Sequence, residues 1–97
     1  LTTGFANSPE PDDATVALMA LSWILQDQSL ADRFLALTGF SPHSLRTGIG
    51  TREVQGAVLD FLAGNEGDLI AAADTLGLAP ERIVAARDNL FGRNEWL

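Results

Sequence analysis

The chain has 97 residues, 46% of them hydrophobic, with 13 acids against 6 basic residues and a net charge of −7, the profile of one folded domain and not of a disordered segment. It contains no cysteine, which excludes a disulfide framework, a thiolate nucleophile and cysteine-based zinc or iron–sulfur sites. The acidity argues against nonspecific association with nucleic acid or anionic lipid.

Residues 1–11, with Pro9 and Pro11, read as a loose N-terminal tail, and residues 12–97 as a single helical domain. Asp12 or Asp13 can cap a first helix running to about Gln26, because a carboxylate there accepts the free N–H groups of the first turn. Asp27 or Ser29 caps a second, which Gly39 ends as a left-handed C′ glycine. Ser41-Pro42 opens a short third helix, since proline fixes φ and lacks the N–H that would go unpaired, and Gly48-Ile49-Gly50 stops it. Thr51 caps a fourth helix to Ala63, a fifth runs from about Gly67 to Leu76 before Gly77, and Ala79-Pro80 opens a sixth to about Phe91. Apolar residues recur at helical spacing, as in Val54, Val58, Phe61 and Leu62, and no stretch alternates with the period of a strand.

The same order of caps and stops occurs twice. Residues 13–50 set over 51–88 place Val16 on Val54, Leu21 on Leu59, Gly39 on Gly77 and Pro42 on Pro80, with Trp23 on Phe61. The expectation is an all-α, compact bundle of about six short helices built from two three-helix units in tandem repeat, units 13–50 and 51–88. Trp23 and Phe61 are then the aromatic anchors of their units. The second unit is the more acidic, with seven acids against three arginines, where the first has three acids against two.

The segments WILQDQSLADRFLALTGFSPHSLR and VLDFLAGNEGDLIAAADTLGLAPERI resemble a small alphaproteobacterial family of about this length, known only as a domain of unknown function. The resemblance covers about residues 14–92. It implies a compact helical fold, and no catalytic or ligand residue carries over from it.

Four features invite a functional reading. The pair of helices at 67–91, with Ala73, Gly77, Leu78, Ile83 and Ala86, has helix-turn-helix spacing. Its second helix, however, begins Pro80-Glu81-Arg82 and includes Asp88, a poor set for phosphate contact. The loop from Arg46 to Arg52 brings Gly48, Gly50 and Thr51 to a helix N-terminus, a weak anion-site candidate that lacks the phosphate-loop lysine and spacing. His43 is the lone histidine, without a second ligand near it in sequence. The acid pairs Asp12/Asp13 and Glu66/Asp68 sit at helix starts, where the dipole accounts for them.

The first helix carries the strongest signal. Val16, Ala20, Trp23 and Ile24 form one apolar face and Leu18, Leu21 and Leu25 a second, so the helix either lies centrally in the bundle or offers a face to another molecule. Trp96, beyond the last helix, either folds back or serves as a further contact. These features favour a non-enzymatic protein-interaction module, a homodimer or adaptor, with Leu18, Leu21, Leu25 and Trp96 as the candidate interface. The alternative is a DNA-binding regulator using 67–91. No catalytic residue, cofactor or metal is expected, and nucleic acid is the less favoured partner. The longest apolar stretch, Val16 to Leu25, is too short to span a bilayer and is interrupted by Ser22, which sets the expectation of a cytoplasmic protein.

Overall fold

Side-chain caps punctuate the chain. In the computed structural model, which describes residues 10–92, α1 (Asp13–Leu25) starts where Asp12 accepts the Thr15 N–H at 2.9 Å. That bond, with further help from the Thr15 hydroxyl, holds the Asp12 carboxyl below the ordinary carboxylate range. α2 (Gln28–Thr38) is capped by Asp27, which accepts from Leu30 N–H at 3.0 Å. A reciprocal Ser41/Ser44 capping box with Pro42 in the first turn opens α3 (Pro42–Gly48). Thr51 caps α4 (Arg52–Ala63). Asn65 caps α5 (Glu66–Leu76), a turn-start slightly earlier than Gly67. α6 (Pro80–Leu90) begins on proline with no side-chain cap. Gly39 (φ 77°) and Gly77 (φ 72°) end α2 and α5 in the left-handed region that a side chain disfavours. The described residues hold no strand.

α2 and α5 occupy residues 28–38 and 66–76, and α3 and α6 both begin on the aligned prolines, so these boundaries recur at one offset, whereas α1 and α4 start 39 residues apart and α3 and α6 end 42 apart. Packing does not divide at residue 50. α6 lies along α4 as the largest helix pair, and α1 packs on α4, α5 and α6 as well as on α2, whereas α3 sits against α4. The difference follows from length: Ile83, Ala86 and Leu90 give α6 a buried seam over two turns, while the seven-residue α3 buries Leu45 alone.

α1 and α4 supply most of the core. Val16, Ala17, Ala20 and Ile24 face Val58, Leu59 and Leu62 in one cluster, all without solvent exposure, and alanines at 17, 20, 72 and 86 let helices approach closely. Burying a side chain such as Ile24 or Leu62 stabilises the fold by about 1.5–3 kcal/mol. The aromatic at the centre is Phe34 of α2, fully buried and edge-on to Phe61 at 5.2 Å between ring centres. Trp23 and Phe61, expected as the anchors, are only partly buried and pack against the cluster from outside.

Arginines tie the outer helices together. Arg82 of α6 pairs with Asp13 at 2.8 Å and donates to the Pro11 carbonyl at 2.8 Å, holding the start of α1. Arg33 of α2 pairs with Asp68 of α5 and stands over the Phe61 ring, 5.4 Å from its centre. Arg87 lies between Asp60 at 3.3 Å and Asp88 at 3.1 Å.

Candidate functional site

The two apolar faces of α1 have different fates. Val16, Ala20 and Ile24 enter the core. Of the second face, Leu18 and Leu25 are 51% and 48% exposed, and Leu21, placed with them by sequence as an interface residue, is 8% exposed and belongs to the core. The reason is angular: α2 and α3 close over the side of α1 on which Leu21 stands, three residues beyond Leu18 and four before Leu25.

Leu21 thereby becomes the floor of an apolar groove of about 320 Å³ between α1, α2 and α3. Leu18 and Leu25 form one wall. Leu35 of α2 with Pro42 and Leu45 of α3 form the other, and Ile49 closes it. The single charged residue on the lining is Arg46, whose guanidinium has no ion pair among the described residues. The sequence reading missed Leu35, Leu45 and Ile49. Their signal was there: Leu35 follows the core residue Phe34 directly, and Leu45 and Ile49 stand four apart.

The exposed strip of α1 reads Thr15, Leu18, Ser22, Leu25, with Gln26 at the cap, and carries no charge. Each other helix exposes at least one charged side chain: Asp32 and Arg33 on α2, Arg46 on α3, Glu53 and Asp60 on α4, Asp74 on α5, Glu81 on α6.

The loop from Arg46 to Arg52, the weak anion-site candidate, makes its hydrogen bonds within its own chain. Thr51 donates its hydroxyl to the Gly48 carbonyl at 2.7 Å while capping α4. Arg52 donates to the Asn89 carbonyl of α6 at 2.7 Å. The buried Gln55 donates to the Ile49 carbonyl at 2.8 Å. Gly48 is needed because a Cβ there would meet a Val54 methyl at 2.8 Å, and Gly50 has open space. Arg46, Gly48, Gly50, Thr51 and Arg52 therefore make a braced linker rather than a convergent set of donors.

The helix pair at 67–91 forms, with Arg82 and Arg87 held in ion pairs to Asp13 and Asp60 and with Glu81 exposed on α6. His43 is exposed in the first turn of α3, and no group of three metal-binding side chains assembles among the described residues. Trp96 lies outside the described residues. No helix among them is long and apolar enough to cross a membrane.

Neither the curated proteins nor the solved structures contain a match to this chain. A family model does match, over residues 11–93, which takes in every helix among the described residues and the whole groove, and by that match the chain belongs to the family described as a protein of unknown function, DUF3572.

Proposed function

We propose that the chain is a non-enzymatic, cytoplasmic protein-interaction module that receives an apolar helical segment in the groove between α1, α2 and α3. The observation that carries this reading is the uncharged strip of α1: two half-exposed leucines beside an apolar trough, on a protein whose other helices all present charge to water. Exposed apolar residues are ordinary singly, as Leu37, Ile70 and Phe91 are here, whereas apolar surface continuous with a groove is what helix-in-groove recognition uses. A lining apolar except for Arg46 suits binding more than bond-making, since it brings together no nucleophile with a base.

The test is a photo-crosslinking residue in place of Leu25, irradiated in cells that express the chain. A light-dependent covalent adduct supports the module reading, and its mass identifies the occupant. Recovery of the free chain alone, with the same residue placed at the exposed Ala85 of α6 as control, overturns it.

A further inference from the structure

We infer that the occupant of the groove is a second copy of this chain, docked through α1 about a two-fold axis near Ser22; this rests on the module reading above. The groove asks for an uncharged apolar ridge with carboxylates at its ends, because seven of its lining residues are apolar and Arg46 alone is charged. α1 offers such a ridge in Leu18 and Leu25, the apolar part of its exposed strip. It is uncharged from Ala14 to Gln26, about 20 Å of helix, and its ends are closed by Asp12 and Asp27.

The face is also self-complementary. Leu18 and Leu25 project beside the trough, so ridge and groove lie next to each other on one surface, and a two-fold rotation sets each ridge into the other copy's groove. Leu18 and Leu25 stand seven apart with the exposed Ser22 between them. Antiparallel pairing places Leu18 of one copy against Leu25 of the other and the two small serines at the crossing, where helix axes need to approach. Two molecules of net charge −7 repel at long range. The uncharged seam keeps that repulsion away from the contact, and Arg46 of each copy lies on the groove that receives the acid-ended helix of the other.

Sedimentation equilibrium of the full chain tests this, with helical circular dichroism and urea melts as the check on folding. Wild type is expected to be a concentration-dependent dimer. Leu18→Lys with Leu25→Lys should raise the dissociation constant at least about a hundredfold, and Arg46→Glu about tenfold. Ser22→Arg, at an exposed position, serves as the second disrupting variant if the double lysine variant does not fold. A wild-type chain that is monomeric up to about 100 µM, the weak end of specific association, overturns the inference, as does a dimer that Leu18→Lys with Leu25→Lys leaves intact. The crosslink at Leu25 separates this outcome from failure of the module reading. An adduct of twice the chain mass supports self-docking, an adduct with a different protein on a monomeric chain overturns self-docking alone, and no adduct overturns both.

Discussion

Leu18 and Leu21 are the same residue type three positions apart, and they do opposite work. Leu18 is half exposed on the rim of the groove, while Leu21 is its floor and contacts the core cluster. A charge at Leu21 has no partner and little water, so Leu21→Arg is expected to destabilise the fold by about 3 kcal/mol or more, through an unpaired buried charge and lost packing. Leu18→Lys leaves its stem along the groove edge and its ammonium in water, and should stay within about 0.5 kcal/mol of wild type in a chain kept too dilute to self-associate. Urea unfolding of both variants at low concentration checks the pair. Equal losses would mean that α1 is core on both faces.

At the scale of helices, what could be read from sequence was whatever local chemistry decides. Asp12, Asp27, Ser41 and Thr51 cap the helices they precede because the bond to the N–H three residues on needs only neighbouring backbone. Gly39 and Gly77 end helices for a reason equally local. Gly56 was silent in sequence, because its reason comes from the far end of α6. A Cβ on Gly56 would lie 2.6 Å from Cε1 of Phe91, so the ring packs against bare backbone in the middle of α4. An interior glycine costs a helix about 1 kcal/mol relative to alanine, and the close approach of Phe91 is what offsets it. Gly56→Ala is therefore expected to gain little, since the ring must move aside. In a Phe91→Ala background the same change should regain the full propensity. A double-mutant cycle from urea melts should show a coupling of at least about 0.5 kcal/mol, and strict additivity would mean that the ring does not constrain Gly56.

Across the whole molecule, the recurrence of caps and glycines was visible in the chain but the division of labour between helices was not. The aligned prolines open two helices of seven and eleven residues, and only the longer reaches far enough along α4 to bury Ile83, Ala86 and Leu90. Which leucines of α1 stay in water depended on that outcome: α6, α4 and α5 crowd one side of α1, and the short α3 leaves the other side only partly covered. Stability should be graded in the same way, because local opening costs little where few apolar side chains are buried. α4 buries six residues and α1 five, while α3 buries Leu45 and is held by its serine capping box at one end and the Ile49–Gln55 bond just beyond the other. Hydrogen exchange on the Leu18→Lys, Leu25→Lys variant is expected to find the slowest amides in α4 and α1 between Val54 and Leu62 and between Ala17 and Ile24, with α3 opening first. In wild type, where a second copy would lie over Pro42 and Leu45, the protection of α3 should rise with protein concentration while that of α4 stays constant. Protection in α3 that is high and independent of concentration would mean that α3 is held by the fold itself, and the groove would then be a fixed trough rather than a surface completed by its occupant.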